Sequence, residues 1–127
     1  MDKLAAHFWA GCAAGELRYQ RCGACAAVQT YPRAYCPHCG AADLRWQRAL
    51  GSGTVFALTL VERAPTDEFR ALAPYLIVLV DMDEGYRMMA HGVPGLTIGE
   101  RVQVRFFEHG GRRLPRFEPA LHDQIAN

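Results

Sequence analysis

The sequence predicts a mainly β fold in which a short N-terminal helix leads into a metal-bound ribbon and then into a small closed barrel. Four of the five cysteines form two Cys-X-X-Cys pairs in the first third of the chain, and short apolar segments between turn residues fill most of the rest. At 127 residues the chain has the size of one ordinary domain or two small ones. We assign residues 1–15 to the helix, 16–46 to the ribbon, 47–120 to the barrel and 121–127 to a tail.

An amphipathic helix is predicted at the start of the chain. Asp2 is a favourable N-terminal cap, and Gly15 is a favourable stop at the other end. Phe8, Trp9 and Cys12 lie on one apolar stripe of this helix. The stripe either packs on its own domain or docks on a partner, because Trp is enriched both in cores and at interface hot spots. Phe8 and Trp9 are therefore candidate partner-docking residues, and Cys12 is predicted to be a small buried packing residue.

The cysteine pairs have the spacing of a tetrahedral metal site. Cys22 and Cys25 form the first pair, Cys36 and Cys39 form the second, and ten residues separate them. A two-residue gap lets both sulfurs of one turn reach the same ion, and thiolate sulfur suits zinc. Four thiolates complete the coordination shell, so the ion is predicted to be structural and His38 to be a surface residue. Iron is the chemical alternative, because the same four thiolates bind it.

Short runs rich in Val, Leu, Phe and Tyr, each bounded by turn residues, predict the strands. In chain order these runs cover residues 17–20, 27–31, 44–48, 53–61, 75–81, 86–91, 101–107 and 114–118. About five strands in the second part of the chain, with one short connector, favour a closed barrel of the OB type over a compact sandwich. Because residues 75–80 are nearly all apolar, we expect them to form a central strand covered on both faces.

Charge and hydropathy limit the possible partners and locations. The formal net charge of +1 creates no global field that would attract nucleic acid or an anionic membrane. No stretch approaches the roughly 18 apolar residues of a membrane-spanning helix, and no signal peptide opens the chain. We therefore expect a cytoplasmic protein, in which thiols stay reduced and paired cysteines favour metal over disulfides.

A search for catalytic groups finds little. Ser52 lies between two glycines with no base near it in the sequence. His91 and His109 lie at strand ends, where a histidine can act as a general base but is more often an ordinary surface residue. The sequence contains no phosphate-binding glycine loop, nucleophile elbow or metalloprotease helix. We therefore assign no catalytic residue.

The ribbon carries a mixture of arginines and tyrosines that suits an anionic ligand. Its candidate members are Arg18, Tyr19, Arg21, Tyr31 and Arg33. Guanidinium groups bind phosphates, and aromatic rings stack on an adenine base. The same mixture suits single-stranded nucleic acid on an OB barrel, and it is also typical of an ordinary solvated surface.

A series of short motifs shares its order with one known family. The motifs are Phe8-Trp9, Gly15-Glu16-Leu17, Gln20-Arg21-Cys22-Gly23-Ala24-Cys25, Tyr31-Pro32-Arg33, Cys36-Pro37-His38-Cys39-Gly40, Gly53-Thr54-Val55-Phe56, Pro74-Tyr75, Gly99-Glu100-Arg101-Val102 and Leu114-Pro115-Arg116-Phe117. Over nearly its whole length the chain resembles the bacterial and archaeal zinc-ribbon/OB-fold acyl-CoA-associated proteins, a family catalogued as a domain of unknown function.

This resemblance implies an N-terminal helix, a rubredoxin-like zinc ribbon and a C-terminal OB fold. It also implies a small non-catalytic subunit that accompanies a thiolase-like enzyme, or a hydratase or aldolase, and helps to hold the CoA thioester. Two other classes remain as alternatives. One is a single-stranded nucleic-acid-binding protein, which the near-neutral charge disfavours because phosphate contacts need many cations. The other is a free-standing enzyme that uses His91 or His109.

Overall fold

One helix and eight strands form the fold in the computed structural model, which describes residues 3–63, 67, 70 and 73–120. The predicted cap Asp2 and the predicted tail lie outside these residues. The elements are α1 (Lys3–Ala13), β1 (Arg18–Cys22), β2 (Val28–Gln29), β3 (Leu44–Arg48), β4 (Ser52–Val61), β5 (Tyr75–Met82), β6 (Arg87–Gly92), β7 (Arg101–His109) and β8 (Arg112–Pro119).

The ribbon is a three-stranded antiparallel sheet in the order β2-β1-β3. Helix α1 precedes it and ends before Gly15, whose φ of 80° lies in the left-handed region that favours glycine, as the sequence predicts. Strand β3 pairs with β1 along its full length, from Leu44 opposite Cys22 to Arg48 opposite Arg18. The ribbon sheet therefore ends at Arg48, four residues before the barrel begins at Ser52.

The remaining strands close into a five-stranded barrel in the order β4-β5-β6-β8-β7. This closure confirms the predicted barrel, and the alternative sandwich is wrong. All neighbouring strands are antiparallel except β6 and β8, which are parallel and pair only at His91 with Arg116 and at Gly92 with Phe117. This short parallel contact leaves most of β6 without a partner on that side among the described residues, which matters for the site described below.

The barrel core consists of the inward-facing side chains of alternating strand residues. Val78 and Val80 of β5 are fully buried, and so are Val102 of β7 and Phe117 of β8. The outer face of β5, which includes Leu79, is only half-buried. The prediction of a strand covered on both faces is therefore wrong for this chain, because no second layer packs on the outside of β5 among the described residues.

The ribbon and the barrel meet at a pair of stacked rings. Tyr19 of β1 and Tyr86, just before β6, lie with their centroids 4.9 Å apart and their planes 21° apart. Next to them, the Glu84 carboxylate accepts a hydrogen bond of 2.7 Å from the backbone N–H of Leu50, which lies between the two sheets. Burial raises the pKa of Tyr86, so its phenol is neutral at physiological pH. No helix among the described residues is long and apolar enough to cross a membrane.

Candidate functional site

The two cysteine pairs lie on two turns of the same design. In the first, the N–H of Ala26 donates to the carbonyl of Cys22 at 2.9 Å; in the second, the N–H of Gly40 donates to the carbonyl of Cys36 at 2.8 Å. Each hydrogen bond closes a turn at the residue that directly follows the second cysteine of the pair. The two turns therefore present their sulfur atoms in equivalent ways.

The four sulfur atoms form one compact group. The Sγ atoms of Cys22, Cys25, Cys36 and Cys39 all lie within 4.8 Å of one another. The distance from Cys22 Sγ to Cys39 Sγ is 3.6 Å, and that from Cys25 Sγ to Cys36 Sγ is 3.7 Å. Four sulfurs about 2.3 Å from a tetrahedral zinc ion lie roughly 3.8 Å apart, so this group has the size that such an ion requires. The four thiols can hold a metal ion.

Backbone N–H groups point at the buried member of each pair. The N–H groups of Ala24 and Cys25 lie 3.4 and 3.5 Å from Cys22 Sγ, and that of His38 lies 3.4 Å from Cys36 Sγ. Such donors stabilise a thiolate, and backbone hydrogen bonds lower the pKa of Cys36 to about 6. Only the backbone of His38 takes part in these contacts, and its side chain is exposed, as the sequence predicts.

Gln20 supports the segment between the two turns and was not identified from the sequence. Its side chain is only 3% exposed although it lies on a short ribbon strand. Its Oε1 accepts hydrogen bonds from Gln29 Nε2 at 2.6 Å and from the Arg33 N–H at 2.9 Å, while its Nε2 donates to the Arg33 carbonyl at 3.2 Å. Gln20 lies in one of the quoted motifs, but a polar residue in a short strand gives no sequence signal that it is buried.

The predicted anion-binding residues of β1 lie on opposite faces of the strand. Arg18 donates from Nε to the Glu16 carboxylate at 2.7 Å and from Nη1 to the carbonyl of His7 at 3.2 Å. Tyr19, only 8% exposed, stacks on Tyr86. Tyr19 is therefore unavailable to stack on a nucleotide base, and the guanidinium of Arg18 is already engaged.

The other three members of the predicted anion site are exposed, and two of them, Arg21 and Tyr31, line different clefts. Arg21 lines a cleft between the ribbon and the β5–β6 turn, and Tyr19 lines the same cleft. Tyr31 is 57% exposed and lines a different, apolar cleft, and Arg33 is exposed near it in the chain. The described clefts therefore do not bring all five residues together, and an anion-binding role stays a prediction.

The candidate docking residues Phe8 and Trp9 are half-buried within the chain itself. Phe8 packs against the barrel core, and the two rings meet edge to face with centroids 5.1 Å apart. The guanidinium of Arg112 lies 4.7 Å above the ring of Trp9. Cys12 on the same stripe is fully buried, as predicted, and burial raises the pKa of its thiol to about 11. A docking role for Phe8 and Trp9 stays a prediction, although both also line the apolar cleft.

This cleft, which we call the junction cleft, lies where the helix, the ribbon and the barrel meet. It has a volume of about 400 Å³, within the range of small-ligand pockets. Its described lining is largely apolar and comprises Ala5, Phe8, Trp9, Thr30, Tyr31, Pro32, Ile77, Met88, Met89, Ala90, His91, Leu114 and Pro115. No described lining residue carries a carboxylate.

His91 lies at the end of the junction cleft, beside two aromatic rings. Its ring centroid is 4.9 Å from that of Tyr75 and 5.4 Å from that of Phe107. Burial, together with the charges of Arg116 and His109, lowers the pKa of His91 below its usual 6.5. Neither a serine nor a carboxylate is among the described residues that line the clefts on either side of it. The hydroxyl groups among the described residues of the junction cleft are those of Thr30 and Tyr31.

Comparison with known sequences identifies both parts of the chain. Residues 9–45 match the family description "ChsH2, rubredoxin-like zinc ribbon domain", and residues 46–107 match "ChsH2, C-terminal OB-fold domain". A DUF35 domain-containing scaffold protein of Methanothermobacter thermautotrophicus is 30% identical over 96 residues, which are 72% of this chain and 71% of the relative. A protein of the same description from Methanocaldococcus jannaschii is 33% identical over 91 residues, 68% of this chain and 64% of the relative.

Two solved structures share the fold. A chain of the structure titled "Ltp2-ChsH2(DUF35) aldolase" is 30% identical and superposes with a TM-score of 0.81, covering 94% of this chain and 96% of that one. A DUF35-family protein from Sulfolobus solfataricus superposes with a TM-score of 0.65 at 16% identity, covering 94% and 87%, and this likeness concerns the fold alone. With both domain matches and the archaeal relatives, the chain belongs to the DUF35 family of rubredoxin-like zinc-ribbon and OB-fold proteins typified by ChsH2.

Proposed function

We propose that this chain is a non-catalytic accessory subunit that binds and supports an acyl-CoA enzyme and helps to hold the CoA thioester. The observation that carries the proposal is the likeness, over nearly the whole length of both chains, to a chain of a structure whose title joins ChsH2 with Ltp2 as an aldolase. The description of both archaeal relatives as scaffold proteins supports the same role. The expected partner is a thiolase-like enzyme or an aldolase, with a hydratase as the alternative.

The residues of the chain support a non-catalytic role. Ser52 pairs with Gln103 at the β4–β7 seam, and the clefts beside His91 contain no serine or carboxylate among their described residues. Four thiol ligands would complete a tetrahedral shell and would leave no open position at which a metal could act on a substrate. The partner subunit would therefore supply the nucleophile.

We infer that the four cysteines hold a structural zinc ion, with iron as the alternative. The sulfur spacing fits a tetrahedral ion, and the ribbon strands are too short to bury a core of their own. A bound ion would cross-link the two turns. In such sites the free energy of metal binding also stabilises the folded state. The ion would therefore hold in place the segment that carries Tyr31 and Arg33.

An apolar row on the outer face of the barrel supports the expectation of a protein partner. Met89 of β6 is 56% exposed and lies opposite Leu79 of β5, which in turn lies opposite Ala57 of β4. Leu79 and Ala57 are half-buried, and directly opposed residues of antiparallel strands share a face of the sheet. The row therefore crosses three neighbouring strands, and apolar side chains gathered on one accessible face are typical of interaction sites.

The test is recovery of the partner from the native host. We expect tagged wild-type chain to retain a thiolase-like or aldolase subunit in stoichiometric amount, identified by mass spectrometry. Leu79→Asp should reduce this recovery at least tenfold, while Gln47→Asp, a change at an exposed position on an outer strand of the ribbon, should not. Recovery of nucleic acid in a salt-sensitive manner would instead support the nucleic-acid-binding alternative and contradict the proposal.

A further inference from the structure

A second cleft lies where the turn after α1 and the β3–β4 connector meet strands β7 and β8. Its volume is about 560 Å³, within the range of ligand sites, and it shares no described lining residue with the junction cleft. Three arginines line it, and we call it the arginine cleft: Arg48 at the end of β3, Arg105 on β7 and Arg113 on β8. The ribbon and the barrel therefore both contribute positive charge to this cleft.

The carboxylates at the arginine cleft are already paired. Glu16 is the one carboxylate among the described lining residues, and it accepts a hydrogen bond of 2.7 Å from Arg18 Nε. This bond, together with the charge of Arg48, lowers the pKa of Glu16 below its usual range. Arg105 donates from Nε to the Glu118 carboxylate at 2.9 Å. These two pairs leave no carboxylate at the described lining to balance further cations.

Two arginines of the cleft have no ion-pair partner among the described residues. They are Arg48 and Arg113, and both side chains are exposed. Arg113 Nη1 donates at 3.4 Å to the carbonyl of Ala13, the last residue of α1. Glu108 lies opposite Arg113 in the β7–β8 register, but no ion pair joins the two within the described part of the chain. The cleft therefore carries an excess of positive charge that an anionic ligand would neutralise.

The register of β7 and β8 spreads these charges along the cleft. Arg113 lies opposite Glu108, which is three residues along β7 from Arg105, so the two arginines are attached roughly 10 Å apart in the strand direction. The β3–β4 connector runs beside the same strand, because the Val104 N–H donates to the Gly51 carbonyl at 2.7 Å. Donors that converge on one point suit a single oxyanion, whereas cations attached at intervals suit a row of carboxylates on an extended chain.

The other lining residues suit a peptide better than a nucleic acid. Leu50 lines the cleft, is 78% exposed and has its backbone N–H held by the Glu84 carboxylate at 2.7 Å. The exposed amide of Gln103 can both donate to and accept from a peptide backbone. Phe106 is the one aromatic ring among the described lining residues, and it is half-buried, so base stacking has no exposed ring there.

We propose that the arginine cleft binds an acidic segment of the partner subunit, with carboxylates toward Arg48 and Arg113 and an apolar side chain against Leu50. This assignment rests on the proposed function, because it takes the chain to have a protein partner. It goes further by stating the chemistry of the partner segment and by naming the residues that receive it.

Titration of the isotope-labelled, metal-loaded chain with the peptide Glu-Glu-Leu-Glu-Glu, followed by NMR, tests the cleft without the partner. We expect the amide shifts to concentrate at Arg48, Leu50, Gln103 and Arg113, and the affinity to fall as salt is added. The peptide Gln-Gln-Leu-Gln-Gln is the control and should not bind. Binding of the acidic peptide at other residues, equal binding of both peptides, or binding of neither would overturn the proposal.

Charge reversal identifies the residues responsible. Arg48→Glu and Arg113→Glu should each weaken binding of the acidic peptide roughly tenfold, because like-charge repulsion replaces an exposed ion pair. Both side chains are exposed, so neither change removes a core contact. Arg63→Glu alters the net charge equally at an exposed position outside the described lining and should have little effect. Equal weakening by all three changes would overturn the proposal, as would tighter binding of a short oligothymidylate at the same amides.

Recovery of the partner from the host separates this proposal from the accessory role. Arg48→Glu should reduce the amount of partner that the tagged chain retains, and Arg63→Glu should not. Undiminished recovery by Arg48→Glu would contradict the assignment of the arginine cleft alone. Failure of the wild-type chain to retain any partner would contradict the proposed function, while binding of the acidic peptide would still support the cleft.

Discussion

The side-chain amide of Gln20 pairs with the backbone of Arg33 in both directions, accepting its N–H at 2.9 Å and donating to its carbonyl at 3.2 Å. The amide thereby takes the place of a strand partner, because this segment pairs with no strand among the described residues. That segment connects the two metal-binding turns and carries Tyr31 and Pro32 to the junction cleft. One buried side chain thus links the segment between the two cysteine pairs to the wall of the junction cleft.

We predict that Gln20→Leu lowers the free energy of unfolding by about 1–3 kcal/mol, because it leaves the polar groups of the Arg33 backbone without their partner. Urea unfolding of the metal-loaded chain measures the change. Gln47→Leu, at an exposed position of β3, is the control and should stay within about 0.5 kcal/mol of wild type. Equal effects of the two changes would show that the Gln20 amide does not stabilise the segment.

A second prediction concerns the equivalent positions that follow the two cysteine pairs. Ala26 has a φ of 68° and Gly40 a φ of 81°, so the first turn places an alanine in the left-handed region where the second has a glycine. That conformation costs an L-residue roughly 1–2 kcal/mol, of which the greater chain entropy of unfolded glycine offsets about 0.5–1 kcal/mol. Ala26→Gly should therefore stabilise the chain by up to about 1 kcal/mol in urea unfolding.

The reciprocal change Gly40→Ala provides the matched test. A Cβ atom at Gly40 would meet no heavy atom within 4 Å, so any cost comes from the backbone conformation alone. We expect a loss of about 1 kcal/mol in the same unfolding measurement. The prediction fails if the two substitutions change the stability in the same direction.

The third prediction concerns the metal ligands. Cys22→Ser and Cys39→Ser should each release the ion and unfold the ribbon, because binding a structural zinc contributes about 10–16 kcal/mol in comparable peptides. Elemental analysis by mass spectrometry gives the metal content per chain and identifies zinc or iron. Cys12→Ser is the control: this thiol lies outside the cluster, so that variant should keep one ion per chain although its buried hydroxyl lowers stability. Full metal content in either ligand variant would refute the assignment.

Features that depend on local sequence were predictable here. The spacing of the cysteines places four sulfurs together, and β3 spans the predicted residues 44–48 because turn residues bound it on both sides. The closed barrel follows from the number of short strands and from their turns. In each case the signal lies within a few neighbouring residues.

Features that depend on contacts between distant segments were not predictable. Tyr19 has the sequence context of a surface aromatic, but Tyr86, which is far along the chain, stacks on it and buries it. The junction cleft arises because β6 and β8 pair for only two residues. The local amino-acid sequence gives no signal from which such pairing could be predicted. Phe8 and Trp9 illustrate both cases, since their helical spacing was evident but the barrel surface they contact was not.

The last prediction concerns the pH dependence of stability through His91. Its pKa in the folded chain lies below the unfolded value of 6.5 because burial, Arg116 and His109 all oppose its protonation. The unfolded chain therefore binds more protons than the folded chain between these two pKa values. As the pH falls from about 6.5 through the folded pKa, the free energy of unfolding should decrease, and this part of the loss belongs to His91.

His91→Gln should remove this loss and flatten the stability profile on the acid side. Because the change also removes the ring contacts with Tyr75 and Phe107, it should lower stability by a constant amount at every pH, so the slope and not the absolute value is compared. Urea unfolding across the range around the ordinary histidine pKa measures that slope, with His38→Gln at an exposed position as the control. An unchanged slope in His91→Gln would show that other groups control the acid-side loss of stability.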